Sequence, residues 1–393
     1  MNQRYYSLDV FRGATVALMI LVNNPGNWEH IFAPLDHAEW HGCTPTDLVF
    51  PFFLFAVGNA MAFVMPKFQK EGTAYFLKKV LKRTLLIFLI GLFLNWSPFV
   101  MYKNSHLVAK TWTWLNMDNG ISGIRIMGVL QRIALCYCLA AFIIFFSKKI
   151  WSKVIAVVIL VGYWLLCLGL GSKADPYSLS GFFGTAVDIH LFGIPHVYKG
   201  EGVPFDPEGL ASTFAAIVEV IIGYYVGSYI QKKGKSYEML TNLFVAGVTL
   251  ILVGYWWDMV FPINKKIWTS SYTLYTSGLA IITISILIFS IEFKNTSGKW
   301  SKFFDVFGKN PLFIFVLSGF LPRVLGLIRW VESIDSDGKK VYTTPFPWFY
   351  NHICKNIISA DLRYGSLLYA LCMIVLYWLI VYILDKKKVY VRV

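Results

Sequence analysis

Charge is scarce in this chain. Only 15% of its 393 residues are Asp, Glu, Lys or Arg, whereas soluble domains contain about 25%. No polar linker, low-complexity tract or fixed-period repeat interrupts the chain, so we expect neither a separate soluble domain nor a solenoid. The six cysteines are scattered without the spacing of a zinc site, and we expect no bound metal. A disulfide between Cys43 and Cys354 remains an alternative to free thiols.

Apolar residues are abundant instead. They make up 56% of the chain, the mean hydropathy is +0.57, and runs of membrane-spanning length recur throughout. This pattern predicts an all-α, polytopic membrane bundle that forms one transmembrane domain over 1–393, with ten or eleven spans. No small-residue cleavage site follows the first run, so we expect a retained span rather than a signal peptide. The ten expected spans are 10–24, 47–65, 84–102, 121–146, 150–170, 210–230, 240–261, 272–291, 304–322 and 365–384.

The net charge of +14 indicates membrane topology rather than nucleic-acid binding. If both termini are cytoplasmic, the cytoplasmic segments contain 21 of the 36 Lys and Arg residues, and the longer connections on the other side contain 12. The positive-inside rule therefore predicts cytoplasmic termini. All seven histidines then fall on the opposite side, so we expect the chemistry near that surface.

One polar stretch of the loop between the first two spans contains His37, His41 and several carboxylates. It reads Asp36-His-Ala-Glu-Trp-His-Gly42, followed by Asp47. An imidazole beside carboxylates can move a proton near neutral pH, so His37 is a candidate general base or nucleophile. Asp36, Glu39 or Asp47 could each orient its ring. His37 and His41 are four residues apart and could share a metal, but no third ligand is evident.

Asparagines offer amide donors for a developing oxyanion. Asn23 and Asn24 end the first span, and Asn264 belongs to the loop Asn264-Lys-Lys-Ile-Trp-Thr-Ser-Ser-Tyr272. The same loop, with Lys265 and Trp268, resembles a carbohydrate-binding set. An interfacial tryptophan with snorkelling lysines would look similar, and both interpretations stay open.

Arg132 lies inside an expected span. It stands about eleven residues from the start, or ~16 Å deep, where a charge costs at least a few kcal/mol without a partner. Gln131 precedes it, and Arg125 lies two turns earlier. We interpret this set as a site for an anionic ligand such as phosphate. The alternative is a buried ion pair with Glu219 or Asp258.

Asp206-Pro-Glu208-Gly stands directly before another expected span. Asp fits a helix N-cap, Pro the first helical position, and Glu the positive helix end. The two carboxylates could also bind sugar hydroxyls or an ammonium group, and the two roles are compatible.

Several of these segments together resemble the heparan-α-glucosaminide N-acetyltransferase family of transmembrane acetyltransferases. They occur in the family's order over roughly residues 4–320. The segments are Ser7-Leu-Asp-Val-Phe-Arg-Gly13, Leu21-Val-Asn-Asn24, His37-Ala-Glu-Trp-His-Gly42, Asp47-Leu-Val-Phe-Pro51, Gly128-Val-Leu-Gln-Arg132, Asp206-Pro-Glu-Gly209, Ile263-Asn-Lys-Lys-Ile-Trp-Thr-Ser-Ser-Tyr272 and Gly308-Lys-Asn-Pro311.

The resemblance implies an enzyme that moves acetyl from cytoplasmic acetyl-CoA to the amino group of a terminal glucosamine on the other side. The family's active histidine matches His37, and its asparagine matches Asn23. Its membrane arginine matches Arg132, and its carboxylates match Asp206 and Glu208. The family likeness also favours a homodimer.

We extend this assignment to the neighbouring candidates. Arg12, Arg125 and Gln131 join Arg132 as candidates for binding acetyl-CoA. Trp40, Asn264, Lys265 and Trp268 join the two carboxylates as candidates for the amino sugar or glycan terminus. Asp47 joins His37 and Asn23 in the candidate catalytic set.

The chain departs from the animal enzyme in two respects. It shows no large luminal domain before the spans, which suggests a bacterial-type member in the inner membrane. It has His41 where the family has asparagine, and extra residues between Asn23 and His37. An O-acyltransferase for envelope glycans and a solute transporter remain alternatives, although we find no internal symmetry that would favour a transporter.

Overall fold

The computed structural model describes residues 5–103, 106–116, 120–357 and 361–391. Its helices are α1 Tyr6–Asn23, α2 Val49–Glu71, α3 Thr73–Trp96, α4 Val129–Phe146, α5 Lys149–Leu170, α6 Phe183–Phe192, α7 Leu210–Lys233, α8 Tyr237–Asp258, α9 Ser270–Ile288, α10 Lys299–Lys309, α11 Pro311–Leu325, α12 Pro345–Phe349, α13 Lys355–Ile357 and α14 Leu362–Lys386. Short 3-10 turns cover Ala33–Leu35, Pro45–Leu48 and Ile194–His196, and π-helical turns cover Phe289–Phe293 and Tyr350–Cys354.

Eight helices in the described ranges are long and apolar enough to cross a membrane, and the bent pair α10–α11 would be a ninth span. The eight are α1, α2 with its preceding turn, α4, α5, α7, α8, α9 with its π-helical extension, and α14. The predicted all-α membrane bundle is therefore confirmed in outline. The expected number of ten spans is not confirmed. Three of the expected segments differ from the structure in where they begin or end, or in being broken.

Each difference has a local cause. Residues 84–96 of the expected span 84–102 are the second half of α3, and its last residues belong to the strand Val100–Lys103 and the turn before it. The first turns of α3 contain four basic residues, so its apolar part is short. The span 304–322 is broken by 77° at Asn310, because Pro311 begins α11 and has no N–H to continue the α10 ladder. The span 121–146 begins only at Val129, because its first residues form a strand.

In the described residues, three antiparallel strand pairs lie in two of the long connections, after α3 and after α11, and we had not predicted them. The strands are β1 Val100–Lys103, β2 His106–Ala109, β3 Thr113–Asn116, β4 Gly120–Gly123, β5 Trp330–Ile334 and β6 Lys340–Thr343. They pair antiparallel as β1–β2, β3–β4 and β5–β6. The pairing satisfies backbone groups that would otherwise lack partners in these connections.

The two described ends of the chain lie at one end of the bundle, where Tyr5 and Tyr390 line the same cavity. We call this the terminal end. α1 leads away from it over 18 residues, or about 27 Å. The loop between Asn23 and Val49 therefore lies at the opposite end, which we call the loop end. Helix α2 packs most extensively on α7, α8 on α9, and α1 on α10.

Candidate active site

Two loops that are distant in sequence meet at the loop end. The Gly42 N–H donates to the Ile263 carbonyl at 2.7 Å, and Gly42 and Asn264 form a parallel β-bridge. The Tyr272 hydroxyl donates to the Asp47 carbonyl at 2.6 Å. This docking places the 36–47 segment directly against the 263–272 segment.

His37 and Asp47 form the centre of the site. His37 Nδ1 lies 2.7 Å from Asp47 Oδ1, and the carboxylate is 1% exposed. The other oxygen, Oδ2, accepts the backbone N–H groups of Ala38 and Thr44 and the Thr44 hydroxyl. An ionised carboxylate only accepts, so Nδ1 carries the proton and Nε2 keeps its lone pair. The ring is 37% exposed, and Nε2 can therefore serve as a base.

Lys265 completes the cluster. Its Nζ lies 3.0 Å from His37 Nδ1, 3.5 Å from His37 Nε2 and 3.3 Å from Asp47 Oδ1. Burial lowers the pKa of Lys265, although the adjacent Asp47 opposes that shift. The ammonium group is thus positioned to attract a negative oxygen that forms beside the ring.

The two candidate asparagines differ in their surroundings. Asn23 is exposed at the last position of α1, and its side chain makes no hydrogen bond within the described residues. Asn264 is fully buried, accepts the Ile267 N–H at 3.0 Å, and has its amide nitrogen 3.4 Å from His41 Nδ1. Asn264 therefore shapes its loop, whereas Asn23 remains available.

Arg125 is bound to the two carboxylates predicted for the sugar. Its guanidinium contacts Asp206 in a bidentate pair, with Nε–Oδ2 at 2.9 Å and Nη2–Oδ1 at 2.5 Å, and Nη2 also donates to Glu208. Burial opposes its charge, but the two carboxylates raise the pKa of Arg125 above its usual value. One predicted cofactor ligand and two predicted substrate ligands thus form a single ion-pair cluster, which the sequence did not anticipate.

Arg132 is fully buried and binds neutral acceptors. Its Nη2 donates to Pro207 O at 2.7 Å, to Gly209 O at 3.2 Å and to the Ser212 hydroxyl. Neither carboxylate considered as its partner binds it. Glu219 accepts the hydroxyls of Thr276 and Ser277, and Asp258 accepts the Ile263 N–H. The alternative of a buried ion pair with either residue is therefore wrong.

The two tryptophans predicted for sugar binding lie at different depths. Trp40 is partly buried, donates its indole N–H to Tyr177 O at 2.8 Å, and has Lys266 Nζ 5.8 Å from its ring centre. Lys266 also pairs with Glu201 at 2.6 Å. Trp268 is 1% exposed and lies inside the bundle, so it is not part of the surface at which Trp40 lies.

A cavity of about 750 Å³ opens at the terminal end. Its walls include Arg12, Arg83 and Lys309, and its deeper part reaches Leu130 and Ile133. Arg12 donates through Nε to Gly308 O at 2.7 Å and pairs with Asp9. Arg125, Gln131 and Arg132 do not line it, so the predicted cofactor residues divide between two places.

Arg83 is the residue that sequence reasoning missed. Its guanidinium stacks 4.8 Å from the Tyr137 ring, and its buried Nε has no hydrogen-bond partner in the described structure. We had counted it only as part of a basic run that sets topology. Its position four residues after Lys79 was a usable signal, because that spacing places both on one helix face.

The cysteines do not contribute a nucleophile or a bridge. Cys43 and Cys354 are both free, so the alternative of a disulfide between them is wrong. Burial raises the pKa of the Cys43 thiol to about 12, which leaves it protonated at neutral pH. No group of three or more His, Cys, Asp or Glu side chains within the described ranges is placed to hold a metal ion.

These features define a polytopic membrane protein with a His–Asp pair at one end of its bundle and a cation-lined cavity at the other. Residues 4–169 match the family described as heparan-alpha-glucosaminide N-acetyltransferase, catalytic. The chain is 25% identical to the heparan-alpha-glucosaminide N-acetyltransferases of Homo sapiens and of Mus musculus, over 99% of its own length and 60% of theirs. The resemblance predicted from the motifs is confirmed, and the relatives' names agree with the predicted enzyme class.

The chain spans about three fifths of the length of the curated relatives it matches. The matched catalytic region, 4–169, includes the His37 loop, α2 and Arg132, but not Lys265 or the two carboxylates bound to Arg125.

Proposed function

We propose that this protein is a transmembrane acetyltransferase that moves acetyl from acetyl-CoA to the amino group of a glucosamine-type sugar. The observation that carries the proposal is the His37–Asp47 pair, with Nδ1 bound to a buried carboxylate and Nε2 left as a base. The family resemblance supplies the group transferred and the class of acceptor.

The donor enters from the terminal end. A volume of about 750 Å³ falls within the range of ligand cavities, roughly 300–1,000 Å³. Three cations line it, and the buried, unpaired Nε of Arg83 fits a phosphate oxygen that would complete its hydrogen bonding. The residues present therefore fit the phosphates of CoA, with Arg12, Arg83 and Lys309 as the groups that would hold them.

The acceptor binds at the loop end. Trp40 offers an aromatic face, and Glu208 is the more exposed of the two carboxylates on Arg125, at 14%. Aromatic faces and carboxylates suit the apolar ring face and the hydroxyls of a sugar. Lys265 provides an ammonium group beside His37, and the exposed Asn23 is the candidate amide donor.

The chemistry follows from the free Nε2 of His37. A glucosamine nitrogen is largely protonated at neutral pH, and the free amine that attacks must still give up a proton to a base, a step typically worth 10²–10⁴-fold in rate. Asp47 holds the ring in the tautomer that accepts this proton. His37 either acts as this base or is itself acetylated before transfer, and in both cases Nε2 is the reacting atom.

The topology completes the proposal. The basic residues concentrate at the terminal end, so we place both termini in the cytoplasm and the His37 loop on the periplasmic side of a bacterial inner membrane. Acetyl-CoA would then enter from the cytoplasm. A homodimer remains part of the proposal on the strength of the family resemblance.

Labelled acetyl-CoA offered to the purified protein with glucosamine, other amino sugars and neutral glycans tests the function. We expect an amide product with glucosamine. An ester product would favour an O-acyltransferase, and no product with any acceptor would favour a transporter. His37→Ala should lose at least about 100-fold in kcat, whereas His106→Ala, which changes an exposed histidine in β2, should not. A His37→Ala protein with wild-type rate would refute the proposed role.

A further inference from the structure

Two neighbouring residues of the bundle, Trp268 and Arg132, together have three buried donors that lack an acceptor within the described ranges. Trp268 Nε1, Arg132 Nε and Arg132 Nη1 make no hydrogen bond in the described structure, and the two residues are 1% and 0% exposed. A buried donor without a partner is costly, roughly 1–3 kcal/mol each and more for a charged group. Native structures rarely retain such groups unless a ligand or a functional role accounts for them.

The donors lie together. The Arg132 Cζ atom is 5.0 Å from the Trp268 ring centre, and the Phe50 ring packs against both, at 5.0 Å from Trp268 and 5.9 Å from Arg132 Cζ. Arg132 Nη2 is fixed by Pro207, Gly209 and Ser212, which leaves the rest of the guanidinium as the unpaired part.

The backbone at Trp268 is strained. Its φ is +49°, a left-handed conformation that is unusual for a bulky residue and costs of order 1–3 kcal/mol. The Trp268 N–H donates to Lys265 O at 3.1 Å, and this turn holds Lys265 beside His37. One strained turn thus positions both the indole and the ammonium group.

Neighbouring residues connect the cluster to the cavity wall on one side and to Asp47 on the other. Leu130 and Ile133, which flank Arg132 on α4, form part of the cavity wall. On the other side, the Trp268 ring lies 5.2 Å from the ring of Tyr272, whose hydroxyl holds the Asp47 carbonyl. A thioester that extends from the cavity toward His37 would pass these donors.

We propose that Trp268 Nε1 and the free edge of Arg132 bind the carbonyl oxygen of the acetyl thioester and stabilise the oxyanion that forms on it. This inference rests on the proposed function. The sugar reacts as the free amine, after its ammonium proton has passed to water. When its nitrogen bonds to the carbonyl carbon, the C=O electron pair moves to oxygen and the neutral His37 Nε2 takes one of the remaining N–H protons. The oxyanion pair then re-forms C=O. When the C–S bond breaks, its electron pair leaves with sulfur, which takes the proton from His37, giving an amide and free CoA.

Trp268→Phe tests the assignment, because it keeps an aromatic ring and removes the indole N–H together with the pyrrole half of the indole. Loss of one oxyanion donor typically lowers kcat by about 10²–10³-fold, and we expect that loss with the KM for acetyl-CoA changed less than about threefold. The matched control is Trp378→Phe, whose indole N–H is paired with Phe303 O. Both variants should lower the melting temperature, because each replaces an indole that is at least partly buried by a smaller ring. The control should nevertheless leave kcat near wild type, so that a loss of kcat confined to Trp268→Phe is not explained by lost packing.

A binding measurement adds a readout that does not depend on turnover. Acetonyl-CoA is a stable ketone that keeps the carbonyl, and S-ethyl-CoA lacks it. Wild type should prefer acetonyl-CoA, and both Trp268→Phe and Arg132→Lys should reduce that preference by about three- to tenfold, the worth of one hydrogen bond. If Trp268→Phe does not fold, Arg132→Lys alone decides the question by the same two measurements.

The outcomes separate this inference from the proposed function. Wild-type protein without acetyl transfer to any acceptor would overturn the function. An active wild type whose variants retain kcat and the same preference between the two analogues would overturn only the oxyanion assignment.

Discussion

Replacing Asp47 by Asn would test the tautomer that makes His37 a base. Asp47 Oδ1 accepts from His37 Nδ1, and Oδ2 holds two backbone N–H groups. An asparagine can keep its oxygen on the two backbone groups and turn its NH₂ toward His37. That NH₂ donates, so Nδ1 would have to accept and the ring proton would move to Nε2, which could no longer take a proton from the amine.

The expected loss in kcat is about 10²–10⁴-fold, the full value of general-base catalysis when the tautomer is wrong. The stability cost should be modest. Lys265 loses its carboxylate partner, but it is 21% exposed, so we expect about 1–2 kcal/mol. A large loss of rate with a small shift in melting temperature is therefore the signature of the proposed role.

Initial rates with labelled acetyl-CoA and glucosamine measure the effect. The control is Asp36→Asn, because Asp36 is the neighbouring carboxylate and lies exposed. Among the described residues, its side chain accepts the His37 backbone N–H alone, a bond that an asparagine oxygen can keep. It should stay within about threefold of wild type. If Asp47→Asn kept more than a third of the wild-type kcat, or if Asp36→Asn caused the larger loss, the assignment of Asp47 would be refuted.

Three further changes test other parts of the structure. Arg83→Gln should raise the Kd for CoA roughly tenfold, the loss of one charge-assisted contact to phosphate, and an unchanged affinity in a filter-binding assay would contradict it. Asp188→Asn should flatten the pH dependence of thermal stability between about pH 4 and pH 7. Gly13→Ala should destabilise the protein by about 1–3 kcal/mol or more, because its new Cβ would lie 1.7 Å from Phe304 O, whereas Gly162→Ala, with nothing within 4 Å, should be neutral or stabilising.

The folded protein should lose stability as the Asp188 carboxyl group ionises. Its carboxyl group is 2% exposed and accepts the Leu210 N–H, and burial raises its pKa from 3.8 to about 7. Between those values the folded protein binds more protons than the unfolded chain, so stability falls as the pH rises through the window, by up to about 4 kcal/mol. Melting temperatures measured from pH 4 to pH 8 check this. An equal slope in wild type and Asp188→Asn would contradict it.

Local patterns were enough to predict the membrane bundle. A continuous apolar run must become a helix in lipid, since only a helix satisfies its own backbone hydrogen bonds there. Composition therefore predicted most spans, yet three segments differed. The 84–102 segment is not among the helices long and apolar enough to cross, and the 121–146 span begins only at Val129, after residues that pair as a strand. The 304–322 segment contains Pro311, whose effect on the helix depends on how the two pieces pack.

The sequence by itself determined that His37 stands in a polar loop between two apolar helices, because residue types and hydropathy are properties of the chain. It left three carboxylates as partners for the ring. Only the tertiary structure identified Asp47 as the partner, since the turn Pro45–Leu48 places its carboxylate against the His37 ring. Packing of the 263–272 segment against the same loop brings Lys265, which is 228 residues away in the chain, to the same ring. Contacts at that separation depend on how helices pack, which no local pattern encodes.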